Sequence, residues 1–549
     1  MLMATVTLAA ILLVALLAHR AGHQPSSEPA SLAQRLDTRA SVAFVFSTTF
    51  AVVWYSWAAW SPRPVVHDEM AYVLQAQIFA RGMWALPSPS LPAFWQQIHI
   101  LTEPRLASKY FPGHSLVMTP GALLGWPALM PLVLQSTIAA LLFVLARRVA
   151  SGGIAFLAWT TWLFSPMVLY LGSSYYSEAT TTACWLAGWY ALLEWRTTRK
   201  LPWLLAIAFF TAWCAITRPL TGLAYAIPMA MVVLRDVVRD RRWRDLALAV
   251  GAGTAVLGIL LVWSARTTGD WRITPLALYT RMYMPFDVPG FGLIATPPAH
   301  ALTPELERLN RVYSAQHVTH VPSHLIETIG ERSHALWLKL WETSSGILGL
   351  FAILGLLTLN ASTAFAVGSG VFLLVMYLSY GTPAEWTLYY YESTPAYALL
   401  AAAGMAWAAS VIGRPARAPD APTFHWGSAR WTRALVSGGL VLALPGIMAM
   451  QLVHRQHIDD RKYLAAFDGV LASIHDARAV VFVRYAASHD PHITFVRNRA
   501  NPDAEQIWVV YDRGDRENLQ LLARAPERRP YLFDETVGQT YLYDPRVTR

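Results

Sequence analysis

The chain has 549 residues, of which 55% are apolar and 14% are Asp, Glu, Lys or Arg, with a mean hydropathy of +0.35. Soluble domains carry roughly 25% charged residues, so this composition excludes a disordered protein, a coiled coil and a disulfide scaffold, and points to an integral membrane protein. The net charge of +9 comes without an aromatic-interleaved basic stripe, which fits membrane topology and anionic lipid and speaks against nucleic acid.

Twelve apolar runs are read as spans: 2–18, 41–60, 127–146, 154–171, 179–194, 202–217, 219–234, 246–265, 343–360, 363–380, 395–412 and 434–452. The first run has no basic stretch before it, which favours a retained helix over a cleaved signal peptide. Segment 116–126 is apolar but too short to span, and reads as a half-buried approach to the third run. Cys184 and Cys214 lie inside apolar runs and read as inert core residues; two cysteines exclude a Cys-based metal cluster.

Lys and Arg set the orientation. Loops 19–40, 147–153, 195–201, 235–245 and 413–433 hold 17 basic residues, whereas 172–178, 217–219 and 381–394 hold one, Arg218. The first set is therefore expected inside. Both termini and the long hydrophilic stretches 61–126, 266–342 and 453–549 are expected outside. The expected organisation is a transmembrane domain over 1–452 and a soluble extracytoplasmic domain over 453–549. In the tail, Ala479–Tyr485, Gln506–Asp512, Tyr531–Phe533 and Tyr541–Tyr543 read as strands and Asp515–Arg524 as a helix, a small α/β domain. No glycine-rich phosphate loop follows either of the first two strands, and no internal repeat is detected.

The candidate chemistry lies at the outer ends of the spans. His67, Asp68 and Glu69 open the first outer loop, ahead of a helix-like pattern expected to lie amphipathically in the interface. Asp68 and Glu69 suit an N-cap and a first-turn dipole partner, or a carboxylate held at the lipid–water boundary as a general base. Lys109 and His114, in Lys109-Tyr110-Phe111-Pro112-Gly113-His114, suit a snorkelling anchor and a turn, or a phosphate site. Tyr176 and Glu178 begin the fifth run, and Arg218 separates the sixth from the seventh. Ionisable groups at that depth need a partner, a cavity or water; Glu178 and Arg218 can serve one another, or Arg218 can hold an anion. Tyr389-Tyr390-Tyr391-Glu392 precedes the eleventh run.

The order of these pieces resembles a known family. An outer Asp-Glu is followed by Lys-Tyr-Phe-Pro-Gly-His, by Pro120-Gly121-Ala122-Leu123-Leu124-Gly125, by Tyr176-Ser177-Glu178 and by Thr217-Arg218-Pro219. Over roughly residues 41–410 this is similar to the polytopic membrane glycosyltransferases of the C fold. The bacterial members of the protein O-mannosyltransferase superfamily, which include lipid A aminoarabinose transferases, are closest in style. Phe111-Pro112 stands where many relatives have two prolines, a departure that leaves the donor sugar open.

The resemblance implies an all-α polytopic membrane protein of about twelve helices with a small α/β C-terminal domain on the periplasmic side of a bacterial inner membrane. It implies inverting transfer of a hexosyl or pentosyl group from a polyprenyl-phosphate donor to an envelope glycolipid, polysaccharide or protein. Asp68 matches the family's base and Glu69 the second acid. His67, Lys109, His114, Tyr176, Glu178 and Arg218 would bind the donor and its phosphate, all in one outer cavity. No motif demands a cofactor, and Asp68 and Glu69 leave room for a divalent metal. Lipid-linked donor, membrane lipid and envelope acceptor are the expected partners. The competing classes are a transporter or flippase, disfavoured by long outer loops and dissimilar halves, and a non-catalytic scaffold.

Overall fold

The structure is a computed structural model that describes residues 2–21, 35–342, 346–412 and 429–544. The basic loops 19–40 and 413–433 lie largely outside the described residues. Each of the twelve apolar runs coincides with a helix or a bent helix pair. Among the described residues, five helices are long and apolar enough to cross a membrane: Leu129–Val149, Pro219–Asp240, Trp243–Thr268, Thr387–Ile412 and Trp431–Ala472. The pair Gly152–Leu163 and Pro166–Gly172 passes the same length and composition test together, bent by 69° as a broken span or a re-entrant loop is. The break falls at Ser165-Pro166, where proline has no N–H for the helix ladder and pushes its predecessor out of the helical region. Leu8–Arg20, Leu201–Ala215, Ile347–Thr358 and Ala361–Tyr377 are shorter apolar helices. The protein is a multi-pass membrane protein.

The chain divides into two compact units. The first comprises Met1–Trp60, Leu129–Leu257 and Pro322–Arg455. Its tightest seam joins helix Ile347–Gly355 to helix Thr394–Ile412. A Cβ on Gly404 would meet the Phe351 carbonyl oxygen at 1.8 Å, and one on Gly355 would meet that of Leu400 at 2.1 Å. Only glycines permit this approach, the usual way apolar helices associate where burial of apolar surface gives no drive. The basic loops of this unit gather around acids. Arg148 pairs with Glu194, while Arg196, Arg199 and Arg235 surround the buried Asp236 at 3.1 Å.

The second unit comprises Ser61–Ala128, Gly258–Val321 and Gln456–Arg549, so that residues 456–544 pack in one body with two earlier segments. The first of these segments holds a small sheet, β1 (Leu86–Pro87), β2 (Ile100–Leu101) and β3 (Arg105–Ser108), in the order β1-β3-β2, all antiparallel. The tail holds β4 (Ala479–Arg484), β5 (Ile507–Tyr511), β6 (Arg529–Asp534) and β7 (Gln539–Leu542), in the order β5-β4-β6-β7. β4 is parallel to β5 and β6, and β7 closes antiparallel on β6. A central parallel strand is covered on both faces, which is why β4 reads as an unbroken apolar run. Val481 and Val483 pack with Met70, Phe467 and Phe495, whereas Val480 and Phe482 pack with Phe94, Trp95 and Leu521. The stretch 266–342, expected as one hydrophilic outer segment, contains helices Pro275–Tyr283, Pro304–Thr319 and Leu325–Trp341.

Two local expectations are corrected. The helix His67–Ala80 is not a surface amphipathic helix: Met70, Ala71, Tyr72, Val73, Leu74, Gln75, Ala76 and Ile78 are all buried. Its N-cap is Val66 and not Asp68. The Glu69 carboxylate turns back to accept from the backbone N–H of Val65 and Val66, at 2.9 and 3.4 Å. It thereby satisfies donors that the helix itself leaves open.

Candidate active site

Asp68 stands in the first turn of helix His67–Ala80, where the helix dipole favours a carboxylate. Its Oδ1 accepts from the Tyr110 hydroxyl, and its Oδ2 lies 3.6 Å from His99 Nε2. The side chain is 39% exposed, so a reactant can reach it. Tyr110 is held by stacking on Tyr72, with ring centroids 4.6 Å apart. His114 is fully buried and meets the same Tyr72 ring edge-on at 4.9 Å, so it braces the wall from behind.

His99 owes its place to a left-handed backbone (φ 66°) just before β2. Its N–H donates to the Tyr279 hydroxyl at 2.9 Å, and its carbonyl accepts from Lys109 N at 2.9 Å. Burial holds the His99 imidazole well below its usual range, and the neighbouring Lys109 pushes it the same way. His99 is therefore neutral beside Asp68 at pH 7, and acts as a polar wall. His67 is also lowered by burial, partly offset by Glu305. Its Nε2 is 2.8 Å from the Pro491 carbonyl oxygen, which makes it a tie to the tail.

Lys109 is buried, its Nζ 3.2 Å from Asp287 Oδ2 and over the rings of Tyr110 and Tyr279 at 5.3 and 5.0 Å. An anion arriving here would share the ammonium with Asp287. Among the described residues no group of three or more His, Cys, Asp or Glu is placed to hold a metal. The Glu69 carboxylate is engaged by the backbone N–H groups of Val65 and Val66.

Tyr176, Glu178 and Arg218 belong to the first unit. The N-cap position of helix Pro219–Asp240 places Arg218. Its Nη1 donates to Glu178 Oε1, Nη2 to the Tyr377 hydroxyl at 3.2 Å, and Nε lies 3.8 Å from Glu392 Oε1. The guanidinium stacks over Tyr389 at 5.3 Å. Glu392 also accepts from Thr181 Oγ1 at 2.6 Å. Tyr176 is half-buried on the turn leading to Glu178. Beside this cluster, helices Leu201–Ala215, Pro219–Asp240 and Trp243–Thr268 bound an apolar groove of about 590 Å³, lined by Ile207, Ala215, Pro219, Gly222, Met229 and Leu246 among others.

The candidate residues thus form two groups, His67, Asp68, Glu69, Lys109 and His114 in one unit and Tyr176, Glu178 and Arg218 in the other. Sequence reasoning missed His99, Asp287, Tyr279 and Tyr377. None carries a motif, since each is brought in from a distant segment. Glu392 and Tyr110 stood inside quoted stretches, but nothing in the sequence ties them to Arg218 and Asp68.

No family model and no curated protein matches the chain. Among solved structures, ArnT from Cupriavidus metallidurans in the apo state is 13% identical, with a TM-score of 0.51 over 89% of this chain and 92% of that chain. ArnT from the same organism bound to undecaprenyl phosphate is 14% identical, with a TM-score of 0.49 over 91% of each chain. Arabinosyltransferase EmbB from Mycobacterium smegmatis is 13% identical, with a TM-score of 0.45 over 80% of this chain and 42% of that chain. The architecture is the C fold of membrane glycosyltransferases. At this identity the resemblance to apo ArnT is a likeness of fold alone.

Proposed function

We propose that the chain transfers a sugar from a polyprenyl-phosphate donor to an extracytoplasmic acceptor: a glycolipid, a polysaccharide or a protein. The observation that carries this is Asp68, a reachable carboxylate oriented by Tyr110 and walled by a neutral His99, in a chain with the C fold. In the proposed step an acceptor hydroxyl or amine attacks the anomeric carbon. Its proton passes to Asp68 Oδ2, the bond from that carbon to the phosphate oxygen breaks, and polyprenyl phosphate leaves. Attack opposite the phosphate inverts the centre. A lipid phosphate is already a good leaving group, so the need is for a base and for cations that meet the departing charge. Lys109, in the Asp68 unit, is the proposed cation for that charge; Arg218, in the other unit, is proposed as a donor-binding residue, its guanidinium offering a planar fork. The apolar groove beside Arg218 suits a prenyl chain, being lined almost wholly by carbon.

The remaining assignments are part of the same reading. All twelve apolar helices are taken to span, the shorter ones at tilted or thinned positions. The protein is assigned to a bacterial inner membrane with segments 61–126, 266–342 and 453–549 on the outer face. The test is sugar transfer from a polyprenyl-phosphate sugar by purified protein in lipid. Turnover that requires Asp68 supports the reading. Full turnover by Asp68→Asn removes Asp68 and leaves the C fold without an assigned base.

A further inference from the structure

The tail loop after β4 reaches the start of the helix that carries Asp68. Ile493 forms an antiparallel bridge with Val66, and the Pro491 carbonyl oxygen lies 2.8 Å from His67 Nε2. The N-cap residue and the residue before Asp68 are therefore both held by this loop. The loop is in turn held by the Tyr485 hydroxyl, which accepts from Phe495 N at 2.9 Å, by the Tyr313 hydroxyl 3.3 Å from His492 Nδ1, and by the His489 imidazole. His489 Nε2 is 2.8 Å from the Ile493 carbonyl oxygen, and His489 Nδ1 is 2.8 Å from Glu535 Oε1. Arg308 Nη1 donates to the His489 carbonyl at 2.8 Å, and Glu535 Oε2 accepts from Ala486 N at 2.7 Å. The His489 side chain is 1% exposed and that of Glu535 8%.

Proton arithmetic decides the state of the pair. A carbonyl oxygen only accepts, so Nε2 must carry a hydrogen. A carboxylate also only accepts, so the contact at Nδ1 needs a second hydrogen, on Nδ1 or on Glu535. A neutral imidazole with an ionised carboxylate has one hydrogen for two contacts, and would set two acceptors face to face at 2.8 Å.

We propose that His489 is a positioning residue for Asp68, and that it holds the loop only while the His489–Glu535 pair carries this additional proton. The groups facing the pair are Glu305, whose Oε1 is 3.7 Å from His489 Nε2 and 3.8 Å from His67 Nε2; Tyr463, its hydroxyl 3.4 Å from Nδ1; Tyr485, its ring centroid 4.0 Å away; and Arg308. Glu305 favours the additional proton and Arg308 opposes it. Burial pushes the Glu535 carboxyl up, in the same direction as Glu305. Both contacts need that proton, so removing it must break one of them. Loss of the proton frees Ile493 and Pro491 and loosens Val66 and His67. Asp68 then loses its fixed relation to Tyr110.

The test is deuterium uptake of backbone amides in 64–72, in full-length protein in lipid nanodiscs, corrected for intrinsic exchange at pH 7 and pH 9. Wild type should lose protection at pH 9 by roughly 10–100-fold, the equilibrium weight of one charge-assisted hydrogen bond. Glu535→Gln supplies an amide N–H to Nδ1 and an oxygen to Ala486 N, so it should stay protected at both pH values. His489→Ala should be unprotected at both. If it fails to fold, Glu535→Gln alone decides. The same pH 9 loss in Glu535→Gln as in wild type, or full protection in His489→Ala, overturns the proposal. The measurement needs no substrate, so its failure is distinct from failure of the glycosyl-transfer reading. On that reading, kcat falls along the same alkaline limb in wild type and not in Glu535→Gln.

Discussion

The Tyr110 hydroxyl donates to one oxygen of Asp68 and leaves the other facing His99 at 3.6 Å, outside hydrogen-bond reach. One oxygen is thereby fixed and the other is free to take a proton. Asp68→Asn keeps the size and the Tyr110 contact but removes the basicity. Turnover with a polyprenyl-phosphate sugar should fall by roughly 10²–10⁴-fold, the range for losing a positioned base. Tyr110→Phe removes the orienting bond alone and should cost about tenfold in kcat, near the lower end of what a hydrogen bond to a charged group contributes. Equal losses in the two variants would mean that Asp68 acts through structure and not as the base.

His67 and His99 set an acid limit on stability. Burial is the first cause lowering both imidazoles. The unfolded chain then binds more protons than the folded one between the folded values and about 6.5, so stability rises with pH through that window. The contribution is complete above about pH 6.5 and is lost as pH falls below it. The thermal midpoint of the protein in lipid should therefore drop between pH 7 and pH 5. His99→Gln, which cannot take up a proton, should flatten that slope. An unchanged slope would show that His99 is already charged in the fold.

The sequence carried the helices well because they depend on local composition. Every apolar run from 41–60 to 434–452 became a helix, and the tail strands fell where alternating or continuous apolar residues placed them. What it could not carry was partnership across distance. Glu178 and Arg218 are close enough in sequence to be weighed as a pair, and they do pair. Glu392 reaches the same guanidinium from a helix far along the chain, and His99 reaches Asp68 through a left-handed turn that nothing in its neighbours announces. The interface helix failed for a related reason. Its pattern of Met70, Val73, Leu74 and Ile78 marks one apolar face, but Ala71, Gln75 and Ala76 are covered by tertiary contacts that have no local signature. Gln75 shows the mechanism: it is polar, fully buried, and bonds Ser108 N and the Trp84 carbonyl.

Gly222 tests the apolar groove. A Cβ there would lie 2.5 Å from Ala215 Cα, so Gly222→Ala must push helix Pro219–Asp240 away from Leu201–Ala215. Overpacking of this kind costs about 1–3 kcal/mol. Gly253 lines the same groove, but its Cβ would meet Ala208 O at an ordinary 3.6 Å. Gly222→Ala should lower the thermal midpoint and raise KM for a polyprenyl-phosphate donor, while Gly253→Ala should do neither. Equal KM values in the two variants would detach the groove from donor binding.

Arg218 offers the sharpest separation of charge from geometry. The guanidinium serves Glu178 through Nη1, Tyr377 through Nη2 and Thr221 through Nε, three directions that a single ammonium cannot reproduce. Arg218→Lys keeps the charge beside Glu178 and Glu392, so the protein should fold with a modest loss of thermal midpoint. Donor use should nevertheless weaken, because the planar fork is gone. Arg218→Gln leaves both glutamates buried without their cation, and breaking a buried pair from one side costs about 3–5 kcal/mol. Removing the charge of Glu178 as well should recover part of that loss. The double variant Glu178→Gln/Arg218→Gln is therefore expected to be more stable than Arg218→Gln alone, an interaction that a double-mutant cycle isolates. Strictly additive midpoints would mean that the two side chains do not depend on one another. Arg218→Lys with unimpaired donor use would confine Arg218 to holding the helices together.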